Sequence, residues 1–472
     1  MNALQRTTPF SLPIKILQFG QGNFMRGFFD WQIDLLNERT GLNAGVVIVR
    51  PRGGSAHGTS APLLDVQDGL FTVLVNGLDE TGTPVAQQRV VSCVAREIDL
   101  ATMYGDYLAL AANPDLRFIV SNTTEAGIAT NDSDRFADAP PGTFPAKLTQ
   151  FLYARFHAFD GAADKGVVLL PCELIDQNGP ALKAAVLHFA RLWECDPGFA
   201  AWLDDACTFC STLVDRIVTG KPAVADLPYD DQFVVAAEYY YLFVIEGPQW
   251  VADELKLDGA GLNIQLVADI KPYKQRKVGI LNGGHTALVP VALLAGLESV
   301  GEAVDDAQVG AWLRATIDQE IIPSLPMERA GLEAFAQDVI LRFRNPAIHH
   351  KLASIALNSW SKFAARIMPQ IVRYTELHDG ALPQRLVTAL AATMLLYRGG
   401  VVTLADDPVT LAWFSDAWHQ VEAGQLTQAR LVSGWLACER IWGRDLNRIA
   451  GLADAVTSAI ALIDSDGMRA AM

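Results

Sequence analysis

The sequence predicts an α/β domain followed by an all-α domain, and three observations carry that prediction. Short β-rich runs alternate with helical patterns in the first half, strand-like runs fade after about residue 228, and a glycine turn joins the first run to the first helix. Residues 14–19 read as the first strand, 24–39 as the first helix and 46–49 as the second strand. The helix sets Phe24, Phe28, Trp31, Leu35 and Leu36 near the three-and-four spacing of one buried face, and Gly41 follows as a stop signal. Further strands are expected at 70–75, 90–94, 118–120 and 167–170, the first two close enough to suggest an antiparallel elaboration. The expected division is 1–228 for the α/β domain and 229–472 for the helical one.

A chain of 472 residues exceeds what one ordinary core accommodates, and 50% hydrophobic with 19% charged residues excludes a disordered or fibrous protein. The net charge of -16, from 53 acidic and 37 basic residues, opposes phosphate backbones, so no nucleic-acid partner is expected. A small anionic ligand stays compatible, because a local cluster of Lys and Arg outweighs the screened charge of a distant surface. Residues 1–8 lack a basic stretch leading into an apolar one, so a cytoplasmic protein is expected. The uncharged run 278–297 is long enough to span a bilayer. It contains Asn282, Gly283, Gly284, His285 and Pro290, which favours a buried helix, and no membrane partner is expected. Six cysteines are scattered without a disulfide framework, and the lone pair Cys207-x-x-Cys210 gives little reason to expect zinc.

The sequence Phe19-Gly20-Gln21-Gly22-Asn23-Phe24-Met25-Arg26 sits where the first strand meets the first helix. Glycines there permit a tight turn and close backbone approach, while helix N–H groups face a pyrophosphate, which makes a Rossmann-like dinucleotide-binding domain. Gly20, Gly22, Asn23 and Phe24 are the candidate cofactor-binding residues. The fingerprint is partial, because Met25 stands in the place of the third glycine, and a purely structural turn is the competing reading. After the second strand the chain reads Arg50-Pro51-Arg52 where an acidic residue would bind the ribose hydroxyls of NAD. Arg50 is thus a further candidate cofactor contact, and local chemistry alone favours the 2′-phosphate of NADP.

The segment from Asp269 to His285 carries the chemistry. If it is helical around Lys277, it presents Lys277, Asn282 and His285 on a largely shared side of an otherwise apolar segment. Carbonyl reduction needs a proton donor beside the ketone oxygen and hydrogen bonds to the oxyanion that develops as hydride arrives at carbon. Lys277 can donate and reclaim that proton, Asn282 can stabilise the alkoxide, and His285 can orient the lysine or bind a neighbouring hydroxyl. The competing reading makes Asn282 and His285 satisfied buried polar residues and Lys277 a lysine that reaches out to water.

Gly20-x-Gly22 with Arg26, together with Lys277-x4-Asn282-x2-His285, resembles the polyol-specific long-chain dehydrogenases, the mannitol dehydrogenase family. The likeness covers nearly the whole chain and is most specific to the branch acting on uronate-derived sugar acids. It includes ILQFGQGNFMRGFFDWQIDLLNERTGLN from Ile16, FIVSNTTEAGI from Phe118, PCELIDQNG from Pro171, STLVDRIVTG from Ser211 and RFRNPAIHHKLASIALN from Arg342.

The resemblance implies an N-terminal Rossmann-like domain, a helical C-terminal domain, no catalytic metal, and Lys277 as general acid/base assisted by Asn282 and His285. It places Asp215, Lys362 and Asn178 on the substrate side. Alone, Asp215 reads as a structural ion-pair partner of Arg216 or another cation, and Lys362 as part of a solvated helix face. Two departures set the chain apart from mannitol-type members: Leu174 replaces an oxyanion-hole asparagine, and Ser354 replaces a substrate-side arginine. The resemblance also implies NAD rather than NADP, and a keto-hexonate as the small-molecule substrate. Arg344, Arg366 and Lys271 are unranked candidates for its carboxylate. Fructuronate or a polyol is the nearest rival substrate, and a nucleotide-binding sensor without turnover is the rival from another class.

Overall fold

Ile16, Leu17, Phe19, Val46, Val47, Ile48 and Val49 are all 1% exposed or less, so neither face of their strands meets solvent. Strands of that kind belong in a parallel sheet with helices on both sides. The computed structural model describes residues 2–50, 62–123, 127–222, 226–348 and 350–472. Two units compose it, one of Met1–Gly77 and Pro84–Ile270, the other of Leu78–Thr83 and Lys271–Met472.

The strands run in chain order as β1 (Ile14–Phe19), β2 (Gly45–Arg50), β3 (Phe71–Leu78), β4 (Pro84–Val91), β5 (Val94–Asp99), β6 (Phe118–Ser121) and β7 (Val168–Pro171). They continue as β8 (Thr208–Phe209), β9 (Ser211–Asp215), β10 (Val218–Gly220), β11 (Val235–Glu238), β12 (Leu242–Glu246) and β13 (Ile264–Val267). One sheet is ordered β5-β2-β1-β6-β7-β8, with every neighbouring pair parallel. Counting only its own strands, that is the 3-2-1-4-5-6 order of a dinucleotide-binding fold. Alternation along β1 sends Ile16 into a core with Phe28, Phe71 and Val235, while Leu17 and Phe19 join Phe144, Phe151 and Phe199 on the opposite face.

Two smaller sheets complete the first unit. One is ordered β10-β11-β3-β4 and the other β13-β12-β9. The expected neighbourhood of 70–75 and 90–94 is found in β3 and β4, but Val94 already begins β5 in the main sheet. The expected boundary at 228 also shifts. β11, β12 and β13 follow it, and the units divide at Ile270/Lys271. Those strands have four or five residues and their two sheets mix parallel with antiparallel pairs, so no long apolar run announces them.

Residues 271–472 contain helices and no strand among those described. One helix, Lys271–Leu294, is long and apolar enough to cross a membrane, and 67% of its most apolar window is buried inside the protein. It packs closely with the helices Gln384–Leu396 and Ser359–Arg366, as a core helix does.

Sheet order reverses between β1 and β6, and ligands of open parallel sheets sit at the carboxyl ends of strands at such a switch point. There Gly20 adopts φ 108°, and a Cβ on it would lie 2.8 Å from the carbonyl oxygen of Asn122 just beyond β6. The amide of Asn122 in turn donates to the carbonyl of Phe19 at 3.1 Å. Two loops are thereby drawn together over a backbone only glycine can supply. Gly20→Ala should lower the thermal unfolding midpoint and weaken NADH binding followed by fluorescence. The backbone strain alone amounts to about 1–3 kcal/mol. An unchanged midpoint and affinity would show that this turn relaxes freely.

Candidate active site

The expected cofactor residues share one turn. Gly22 precedes the helical stretch 23–40 with φ -59° and ψ 160°, has open space where a Cβ would stand, and is exposed together with Asn23. Asn23 Oδ1 accepts from the Arg26 guanidinium at 2.7 Å, and Phe24 stacks on Phe28 with centroids 4.9 Å apart. Met25 is buried and fills the third-glycine position with apolar packing. An open glycine turn, a helix start without a side-chain cap and the close Gly20–Asn122 approach fit a pyrophosphate cradle.

Arg50 has another engagement. Its Nε lies 3.0 Å from Glu97 Oε1, with both residues buried, and its Nη2 donates to the carbonyl of Pro62. A 2′-phosphate would have to compete with a buried ion pair, which removes the local argument for NADP that Arg50 supplied. Arg52 lies outside the described residues.

Asn178, expected on the substrate side, is engaged with backbone groups. Its amide nitrogen donates to the carbonyls of Pro171, Glu173 and Thr212, its oxygen accepts from the Thr212 amide, and the residue is 1% exposed. Its amide hydrogens and one lone pair of its oxygen are spent on backbone groups. Asn178 clamps the loop after β7 to β9. Leu174 on that loop is 63% exposed. Asp215 is buried at the end of β9. The pair with Arg216 does not form, because Arg216 donates to the carbonyls of Glu238 and Gly27 and stacks 4.1 Å over Trp31.

In the second unit, Lys277–Asn282 forms a π-helical turn between Lys271–Arg276 and Gly283–Leu294. The Gly283 amide bonds back to the carbonyl of Val278, five residues earlier. In a plain α-helix, side chains five apart diverge by about 140°. A π turn takes up most of that angle, which is the backbone change that would let residues five apart share a side. Every residue from Gly279 to Ala292 is buried except Asn282 and His285, which are partly exposed, as is Lys277.

Around this face lie groups the sequence reading did not assign. The His285 ring stacks on Phe343 at 4.0 Å, and His350 stands edge-on at 5.7 Å. Burial, followed by the charges of His350, Arg342, Arg366 and Lys362, holds the His285 imidazole well below the usual histidine range. It is therefore neutral at neutral pH, and its Nε2 has no hydrogen-bond partner among the described residues. Lys362 donates to the carbonyls of Ile355 and Leu357, leaving one of its three N–H bonds for a ligand. The only hint of Arg342 and His350 in the sequence was the segment RFRNPAIHHK itself.

Cys207 and Cys210 are buried free thiols, each pushed up to about 12 by burial. Among the described residues no three His, Cys, Asp or Glu side chains cluster as a metal site would require.

The nucleotide turn and the polar helix face, each on its own unit, define a dinucleotide-dependent dehydrogenase. The chain belongs to the mannitol dehydrogenase family: the family's Rossmann domain matches residues 14–259 and its C-terminal domain residues 269–464. An altronate oxidoreductase of Yersinia pestis is 52% identical over 98% of this chain and 97% of its own. One from Pectobacterium carotovorum subsp. carotovorum (strain PC1) is 51% identical over 98% and 96%. Among solved structures, mannitol 2-dehydrogenase of Pseudomonas fluorescens, in a ternary complex with NAD and D-mannitol, is similar with TM-score 0.66 and 24% identity, covering 99% of this chain and 95% of that one. A D-sorbitol dehydrogenase in substrate-free form shares the fold with TM-score 0.79 and 22% identity, covering 99% of each chain.

The neutral His285 has a measurable signature. Its pKa when unfolded is near 6.5 and is depressed in the folded protein, so below about pH 6.5 the unfolded chain takes up a proton that the folded chain refuses. Its contribution to stability is complete above that pH and declines as pH falls below it. His285→Gln should therefore flatten the fall in unfolding midpoint between about pH 7 and about pH 5.5. An identical slope in the variant would place the imidazole outside this linkage.

Proposed function

We propose that the protein interconverts D-tagaturonate and D-altronate with NAD(H), in hexuronate catabolism in the cytoplasm. The observation that carries the chemistry is the emergence of Lys277, Asn282 and His285 from an otherwise buried helix, beside the cations Arg366 and Lys362. The altronate oxidoreductase relatives, about half identical over nearly the full chain, support the substrate. The buried Arg50–Glu97 pair supports NAD over NADP. Free thiols at all six cysteines suit a reducing compartment.

When bound, the dinucleotide supplies or accepts a hydride at the carbonyl carbon. Gly20, Gly22, Asn23 and Phe24 would hold it. The Lys277 ammonium gives its proton to the ketone oxygen during reduction, and its neutral amine takes the hydroxyl proton during oxidation. Asn282 donates to the developing alkoxide. His285, neutral and short of a partner at Nε2, accepts or donates at a neighbouring hydroxyl without adding a competing charge.

Purified protein offered NADH with tagaturonate, fructuronate and fructose in parallel should reduce tagaturonate with the highest kcat/KM. Faster turnover of fructose would remove the sugar-acid assignment. Lys277→Ala should lower kcat by about a hundredfold to ten-thousandfold, the usual contribution of positioned proton transfer. NADH binding followed by fluorescence should survive the substitution. Near-normal turnover by the folded variant across a pH range would take the lysine out of the mechanism.

A further inference from the structure

Three cations stood as equal candidates for a substrate carboxylate, and their surroundings separate them. Arg344 is exposed and already lies 3.0 Å from Asp305. Lys271 is exposed at the start of its helix, about 9 Å along the axis before Lys277. Arg366 is different. It is half-buried at the end of the helix Ser359–Arg366, and no acidic side chain lies within ion-pair distance of it among the described residues.

Its position is fixed against the polar helix face. Arg366 Nη1 donates to Thr286 Oγ1 at 3.3 Å, and the Thr286 hydroxyl donates to the Asn282 carbonyl at 2.9 Å. The backbone approaches as well: a Cβ on Gly283 would lie 3.6 Å from the Arg366 carbonyl oxygen. The guanidinium thus stands one hydroxyl away from the turn bearing Asn282 and beside His285. Its other N–H groups have no protein acceptor among the described residues, which leaves a planar fork suited to a carboxylate.

Lys362 sits four residues earlier on the same helix. Like charges at that spacing repel and destabilise a helix, and partial burial raises the penalty. Burial lowers the proton affinity of both groups, and for Lys362 the charge of Arg366 lowers it further, against the opposing pull of Asp406. Asp406 accepts from the Tyr397 hydroxyl and the Asp407 amide rather than closing an ion pair with either cation. Two cations beside the polar helix face, neither closed in an ion pair among the described residues, suit an anion.

We propose that Arg366, seconded by Lys362, binds the carboxylate of the sugar-acid substrate and so sets the preference of this enzyme for acids over neutral sugars. This rests on the keto-hexonate reading above. Loss of a charge-assisted bidentate contact weakens recognition by roughly 100-fold. The experiment compares kcat/KM for a six-carbon keto acid and for the neutral ketose of equal length, in native protein, Arg366→Gln and Arg366→Met. Methionine keeps the apolar stem if glutamine compromises folding.

The acid-to-neutral ratio should fall by about 100-fold in the variants, chiefly through KM for the acid. Raising ionic strength should increase that KM in the native protein and have little effect in the variants. If both substrates lose equally and the ratio holds, Arg366 is structural and the inference fails. An unchanged KM for the acid in a folded variant also overturns it. Native protein that does not prefer the acid would instead overturn the substrate reading on which the inference stands.

Discussion

The π turn at Lys277–Asn282 is the constraint on which the reaction face depends. An α-helix repeats every 3.6 residues, so a lysine and an asparagine five apart face different directions. One wide turn corrects this at the price of weaker hydrogen-bond geometry, and surrounding contacts must hold it. Phe343 packs against His285, and Gly283 admits the backbone of the helix ending at Arg366. A Cβ at Gly283 would stand in ordinary contact with that backbone, 3.6 Å from the Arg366 carbonyl oxygen, so the two helices lie close at this point. The polar helix face, helix packing and local charge are therefore one arrangement.

The first unit solves its problem by a similar device. Its initial helix also contains a π turn, Arg26–Asp30, every residue of which is buried. Burial pushes the Asp30 carboxyl up to about 7, although Gln18 and Arg26 pull it down. Arg26 lies over the faces of Phe71 and Phe233 and reaches Asn23 on the nucleotide turn. Polar groups that a sheet-covering helix would ordinarily avoid are thus packed under the glycine turn, where they tie it to the second sheet.

Much of this was legible in the chain, and the failures have physical causes. β1, β2, β6 and β7 are buried on both faces, so their apolar runs stood out at nearly their observed bounds. β11 to β13 did not, because short strands in mixed sheets carry neither a long run nor a clean alternation. Lys277, Asn282 and His285 were conspicuous as polar residues in an apolar segment, while the π turn that aligns them has no residue signature. The backbone engagements of Asn178 were not legible, because its partners at Pro171, Glu173 and Thr212 come together only through the fold. Arg50 likewise looked like a phosphate contact until Glu97, distant in sequence, was found against it.

The cysteines carry a consequence for how the enzyme ages. Peroxide attacks thiolates, and a thiol that is buried and reluctant to ionise is a poor target. Cys93, Cys172, Cys207 and Cys210 are all of that kind, each with its proton held more tightly by burial. The two partly exposed thiols, Cys195 and Cys438, are the ones an oxidant reaches most readily, and neither belongs to the glycine turn or to the helix bearing Lys277. Thiol oxidation can mark the surface of this protein long before it reaches the machinery that transfers hydride.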